Sequence, residues 1–273
     1  VAADFSLILL ALCALTGLVW LLDVAWLRRR RRRRQGEEAA EPWAVDWARA
    51  LFPVLALVFV LRSFVAEPFR IPSGSMMPTL RVGDFILVNK FAYGLRLPVW
   101  HTKFLSLGEP RRGDVVVFRP PWKPEEDWIK RIVGLPGDHV VVRGEKVWIN
   151  GKQLHTDMIG PYNAPGDHSR EAETLRAYRA TVSKETLGQV RHTIVQMPAI
   201  NARDGGAPGV PGPFNPPVVP AHCYFVMGDN RDDSADSRYH GCVPAKDMVG
   251  KAFMIWFSWD HGVAFSRIGS LIH

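Results

Sequence analysis

The chain has 273 residues, 47% of them hydrophobic, enough for a membrane region plus one sizeable globular domain. Its net charge of +7 comes from 34 Lys and Arg against 27 Asp and Glu, and the whole excess lies in one run of seven arginines, Arg28 to Arg34. A nucleic-acid-binding surface spreads basic residues over a folded face, so no nucleic-acid partner is expected. Three cysteines without a C-x-x-C pair argue against structural zinc, and no metal or cofactor is expected.

Phe5 to Leu22 is almost continuously apolar, and Val24 to Leu27 extend it past Asp23. That is the length of a transmembrane helix, roughly 20 residues. A cleaved secretory signal carries positive charge before its apolar run, whereas here the arginines follow, so the segment reads as an anchor. The positive-inside rule keeps Arg28 to Arg34 cytoplasmic and puts the N-terminus outside. Ala50 to Leu61 is a second apolar run that continues through Arg62-Ser63 to Ala66. A buried soluble helix competes with a span at this length. The basic segment before it sets a cytoplasmic start, Trp43 and Trp47 suit the interface, and Arg49 and Arg62 can snorkel. The organisation expected is a transmembrane helix over 1–27, a basic cytoplasmic loop over 28–49, a second transmembrane helix over 50–67 and an extracytoplasmic β-rich domain over 68–273.

Ile71-Pro-Ser-Gly-Ser-Met-Met-Pro-Thr-Leu80 follows directly. Pro72, Pro78 and the small residues between them cannot propagate a helix, so they hold an irregular loop. It is either a polar hinge or the carrier of a nucleophile. A serine nucleophile needs a base. Ser75 lacks the G-x-S-x-G elbow, because Ser73 and Met77 stand at the glycine positions, and it lacks S-x-x-K, because Pro78 stands at the lysine position. A lysine from elsewhere in the fold is the remaining candidate.

Farther along, Phe85 to Val88, Val115 to Phe118 and His139 to Val142 are short runs rich in β-branched residues, each preceded by a Gly-Asp turn. Val140 to Asn150 resembles a hairpin about Arg143-Gly144-Glu145, and Tyr224 to Met227 and Ala252 to Trp259 supply further strands. The fold class expected is mainly β, an antiparallel-sheet catalytic domain behind two membrane helices. In Asp127-Trp-Ile-Lys-Arg-Ile-Val133 strand alternation puts Lys130 on one face with Trp128 and Ile132. Desolvation there would favour the neutral amine that a general base requires. The alternative buries Arg131 in an ion pair and leaves Lys130 in solvent. From His155 to Ala221 the pattern decays and Pro208 to Pro220 is rich in proline and glycine, which reads as a variable insertion without site residues.

Gly228 to Arg238 is dense in carboxylates, but counting from Asp232 the sixth and twelfth positions are Ser237 and Val243, not the glycine and glutamate of an EF-hand. An ion pair of Asp236 with Arg238, supporting hydroxyls at Ser234 and Ser237, is the alternative. Cys223 and Cys242 pair only if their strands adjoin in an oxidising compartment. Trp256 and Trp259 suit lipid contact or core packing.

Taken in order behind two apolar segments, Ser73-Gly-Ser-Met-Met-Pro-Thr-Leu80, Arg112-Gly-Asp-Val-Val-Val-Phe118, Lys130-Arg-Ile-Val-Gly-Leu-Pro-Gly-Asp138 and Gly228-Asp-Asn-Arg-Asp-Asp-Ser-Ala-Asp-Ser-Arg238 resemble the bacterial signal peptidase I (leader peptidase) family. The resemblance implies a membrane-bound serine endopeptidase at the outer, periplasmic face of the cytoplasmic (inner) membrane. Its partners would be the lipid bilayer and the signal peptides of exported preproteins, cut after small residues in Ala-x-Ala type sites. It further implies that Ser75 is the nucleophile and Lys130 the general base of a Ser-Lys dyad. The Ser75 N–H and the Ser73 hydroxyl would form the oxyanion hole. Ser234 would position Lys130, with Asp236 and Arg238 holding its loop. Phe69, Ile71, Pro72, Met76, Leu80, Ile86, Trp128 and Ile129 would line the substrate pockets. Trp128 stands where some relatives have tyrosine. Two rivals are an autoproteolytic repressor of the LexA type, which needs a helix-turn-helix domain where this chain is apolar, and a catalytically dead module that binds signal peptides.

Overall fold

In the computed structural model, which describes residues 2–35, 41–96, 103–105, 107–164, 167–197, 217–259 and 262–273, the chain divides into two units. One comprises 1–66 and 94–106, the other 67–93 and 107–273. In the first, α1 (Ala2–Leu22) runs through a π-helical turn at Asp23–Leu27 into α2 (Arg28–Gln35). The arginine run is therefore helical, not a loop; arginine is a good helix former and nothing there breaks the helix. The next helix, α3 (Trp43–Val60), begins at Trp43 instead of Ala50, because Asp46 and Arg49 interrupt hydropathy without interrupting a helix. Leu7–Arg31 and Trp43–Ser63 are each long and apolar enough to cross a membrane. Gly17 lets the two helices meet: a Cβ there would lie 2.7 Å from the Phe52 ring.

In chain order the strands are β1 (Ala66–Arg70), β2 (Asp84–Asn89), β3 (Leu95–Arg96), β4 (Lys103–Leu105), β5 (Val115–Phe118), β6 (Trp128–Gly134), β7 (Val140–Arg143), β8 (Lys146–Ile149), β9 (Lys152–Gln153), β10 (His155–Pro161), β11 (Thr181–Leu187), β12 (Val190–Gln196), β13 (Cys223–Met227), β14 (Val243–Pro244) and β15 (Met248–Ser258). Seven form the main sheet in the order β1-β2-β15-β5-β6-β13-β14. Its pairings from β2 through β14 are antiparallel. Both faces of the central strand β5 are covered, Val115 and Val117 by one core cluster and Val116 and Phe118 by another. That two-sided burial explains an unbroken apolar run where a half-exposed strand would alternate. The expected hairpin about Arg143-Gly144-Glu145 is β7 paired with β8, turning at Gly144 with φ +57°.

The segment after His155 is regular, contrary to expectation: β10, β11 and β12 make a three-stranded sheet, and α4 (Arg170–Ala177) packs Ala172 and Leu175 into its core. The missing hydropathy signal has a physical origin. Strand β10 is mostly exposed, and the buried face of β11 and β12 carries Ser183, Glu185 and His192 where apolar residues are usual. Of the Pro208 to Pro220 stretch, positions up to 216 lie outside the described residues. Cys223 and Cys242 form a disulfide, with their Cα atoms 5.7 Å apart.

Candidate active site

The serine loop connects β1 to β2. Ser73 is extended (φ −136°, ψ 159°), and Gly74–Met76 then form one turn of 3₁₀ helix. The turn is held from behind by the stretch following β13. Asn230 donates its backbone N–H to the Ser75 carbonyl at 3.1 Å and its side-chain amide to the Gly74 carbonyl at 3.1 Å. Gly228 makes this approach possible, since a Cβ there would lie 2.5 Å from the Ser75 carbonyl oxygen and 2.3 Å from Ser234 Oγ. Met77, fully buried, inserts into the core formed by α4, β12 and Tyr162. The loop that carries Ser75 is thus packed against both the main sheet and the segment that follows His155.

Lys130 reaches the same loop from the middle of β6. Its Nζ donates to Ser75 Oγ at 2.7 Å, and both side chains are buried. Trp128 shares the Lys130 side of the strand, its ring centroid 5.6 Å from Nζ. Burial is the largest influence on Lys130 and pushes its pKa down to about 8; Asp236, Asp229 and Asp233 oppose that shift from a distance and Arg238 adds to it. Lys130 has no salt bridge among the described residues. Arg131, pointing the other way, is fully buried and bidentate with Asp229 at 2.8 and 2.7 Å, and also donates to the carbonyls of Gly113 and His273. The two readings of the dipeptide therefore combine: Arg131 is the buried ion-pair partner, and Lys130 is buried as well.

Asp236 organises the remaining loop. Its carboxylate accepts from Ser234 Oγ at 2.8 Å, from the Gly228 N–H at 3.0 Å and from Arg238 at 2.8 Å through both Nε and a terminal nitrogen. Burial alone would raise the Asp236 pKa; the Arg238 guanidinium outweighs it and holds the carboxyl below its ordinary range. Asp236 also caps α5 (Ser237–His240) by accepting from the Arg238 N–H. Ser234 spends its hydroxyl proton on Asp236, while the hydrogen bond of Lys130 goes to Ser75.

A cleft of about 650 Å³ opens over this pair, lined by Pro72, Ser73, Gly74, Ser75, Glu126, Asp127, Trp128, Ile129, Lys130, Glu171, Asp233 and Ala235. Of the residues expected to shape substrate pockets, it brings together Pro72, Trp128 and Ile129. Ile71, Met76, Leu80 and Ile86 are buried in the core cluster that also contains Ile129, with Phe69 packed against it. Their burial follows from the alternation of β2 and from the tight turn at Gly74. Sequence reasoning missed Asp229 and Asn230, although the Gly228-Asp-Asn run signalled a tight polar turn, and it missed Glu171, for which no local motif exists. Among the described residues no group of His, Cys, Asp or Glu could hold a metal ion.

A protein-family model described as "Signal peptidase, peptidase S26" matches residues 44–259. Similar curated proteins include Signal peptidase I of Pseudomonas fluorescens, 42% identical over 97% of this chain and 98% of the relative. Signal peptidase I of Pseudomonas aeruginosa is 42% identical over 99% of each chain. Signal peptidase I of Buchnera aphidicola subsp. Schizaphis graminum is 39% identical over 81% of this chain and 80% of the relative.

Proposed function

Because the chain belongs to the signal peptidase family, peptidase S26, and is thus a serine endopeptidase that removes signal peptides, we propose that Ser75 and Lys130 form its catalytic dyad. The observation that carries this reading is the 2.7 Å contact between Lys130 Nζ and Ser75 Oγ in a buried setting. Neutral Lys130 accepts the Ser75 proton while Oγ bonds to the scissile carbonyl carbon, and the carbonyl π pair moves onto oxygen. The Ser75 N–H and the Ser73 hydroxyl on the cleft wall receive that oxyanion; removing one such donor typically costs about 2.7–4 kcal/mol. Collapse breaks the C–N bond, and the Lys130 ammonium returns its proton to the departing amine. A water, deprotonated by Lys130, then bonds to the acyl carbon, and Lys130 returns that proton to Ser75 Oγ as the C–O bond breaks and the signal peptide leaves with a free carboxyl end.

Asp236, Arg238 and Ser234 support the dyad by fixing the loop beneath Ser75, with Ser234 packed against Gly228. The substrate lies along Pro72, Trp128 and Ile129, and cleavage follows small residues, alanine at the first and third positions before the cut. The two apolar helices anchor the chain in the cytoplasmic membrane, with the arginines inside and the β-rich unit outside. The Cys223–Cys242 disulfide supports that orientation, since such bonds persist in oxidising compartments.

The test uses full-length enzyme in detergent with a preprotein substrate. Ser75→Ala and Lys130→Ala each reduce cleavage by about 10³-fold or more, while thermal unfolding shows both variants folded. Near wild-type turnover by Lys130→Ala would reject the dyad.

A further inference from the structure

The segment over 155–197 puts into the cleft a carboxylate for which the proposed dyad has no use. Glu171 stands in the first turn of α4, whose N-terminus Ser169 caps by accepting from the Ala172 N–H. Its stem rests on the residue preceding the nucleophile: a Cβ at Gly74 would lie 2.8 Å from Glu171 Cγ and 3.0 Å from its Cβ. Gly74 therefore lets the Glu171 stem pack against the main chain next to Ser75, and Glu171 lines the cleft. The other acidic residues of the cleft differ in their commitments. Glu126 is tied to Lys123 and accepts from Trp128 Nε1, and Asp127 pairs with Arg119. Glu171 and Asp233 line the cleft without a hydrogen bond or ion pair among the described residues.

Among the described residues Lys130 is the one cation lining the cleft, and in the working enzyme it is the neutral amine. During attack the described residues of the walls beside Ser75 then carry two uncommitted negative charges and no fixed positive charge. An acidic substrate side chain entering there meets like charge in a partly desolvated setting, whereas a basic one is attracted. We infer that Glu171, seconded by Asp233, is a specificity-determining residue that selects the charge of substrate residues flanking the scissile bond, admitting neutral and basic side chains and rejecting acidic ones. This inference rests on the proposed dyad site. It gives the accessory sheet and α4 a function: they carry one wall of the cleft.

The test uses full-length enzyme in detergent and peptides of a single Ala-x-Ala sequence. The central x position and the first and second residues after the cut carry Lys, Gln or Glu in turn. For each enzyme, kcat/KM on the Lys and Glu peptides is divided by its own value on the Gln peptide, so a general loss of activity drops out. In the wild type the Lys-to-Glu ratio reaches about tenfold at one or more positions at low salt, and shrinks in about 0.5 M salt. Glu171→Gln lowers that ratio to about threefold, and Glu171→Lys takes it below one. A ratio in Glu171→Lys equal to that of the wild type at every position overturns the inference. So does a wild-type ratio of one throughout, with the dyad left standing. If Lys130→Ala cuts the Gln peptide as fast as the wild type, the dyad reading falls, and this inference with it.

Discussion

The two sides of β6 hold consecutive cations under opposite terms. Arg131 is enclosed and fully answered, with Asp229 across its fork and two carbonyls on its remaining edge. Lys130, one residue earlier and also buried, meets a tryptophan ring and a serine hydroxyl and has no carboxylate in contact. A guanidinium stays charged in any protein setting, so Arg131 is suited to structure. An ammonium without a contact partner shifts toward the neutral amine, so Lys130 is suited to proton transfer. What separates structural from chemical charge here is pairing, not burial.

Removing each cation in turn tests that difference most severely. Arg131→Met leaves Asp229 buried with Thr79 as a remaining donor and His192 at 3.8 Å, and lowers stability by about 3–5 kcal/mol. Lys130→Met has the opposite sign near neutral pH. Its folded pKa of about 8 lies below the ordinary 10.5, so the unfolded chain binds the extra proton and the wild type is penalised below about pH 8. The penalty, of order 3 kcal/mol at most, fades as pH rises from about 8 to about 10.4. Unfolding of the full-length proteins in detergent at pH 7 and pH 10 checks both signs. Equal destabilisation by the two variants would erase the distinction between the faces.

The same distinction sets the pH profile of cleavage. With the proposed dyad, Lys130 is protonated below about pH 8 in the folded enzyme and cannot accept the Ser75 proton, so kcat/KM falls about tenfold per pH unit on the acid side. A profile that is flat down to pH 6, or one that rises only above pH 10, contradicts a base desolvated by its surroundings.

How much of this was legible in the chain differs by region. In the main sheet β2 and β5 were readable because β-branched runs follow Gly-Asp turns, whereas the short edge strands β1 and β14 carry no such signal, and the alternation of Trp128, Lys130 and Ile132 placed the lysine correctly relative to Arg131. Glu171 was illegible for a physical reason. Its importance lies in the missing Cβ of Gly74, 97 positions earlier in the chain, and such a contact leaves no periodic trace. Strands β11 and β12 were hidden because their buried face satisfies itself with charge: Glu185 forms a bidentate pair with Arg231. Burial would raise the Glu185 pKa, but Arg231 and His192 hold it down to about 2. Hydropathy patterns cannot register a core built that way. Ile71, Met76, Leu80 and Ile86 illustrate the reverse limit, since an apolar residue beside a nucleophile looks the same in sequence whether it lines the cleft or supports it.

The smallest effect concerns carboxylates that act on Lys130 without touching it. Asp233 lines the cleft and favours the ammonium through space, offsetting part of the burial that lowers the Lys130 pKa. Asp233→Asn removes that charge with little change of shape, so the acid limb of kcat/KM moves to lower pH, by less than about half a unit for so indirect an interaction. The shift is larger in dilute buffer and vanishes at high salt, because the field between the two groups crosses the open cleft. Glu171→Gln measured alongside it separates two uses of negative charge, since Asp233 and not Glu171 is among the leading influences on Lys130. It leaves the limb in place while changing the peptide-charge ratio. A limb that moves equally in both variants would mean that the cleft acts on its base through total charge alone, and would dissolve the separation between the dyad and its walls.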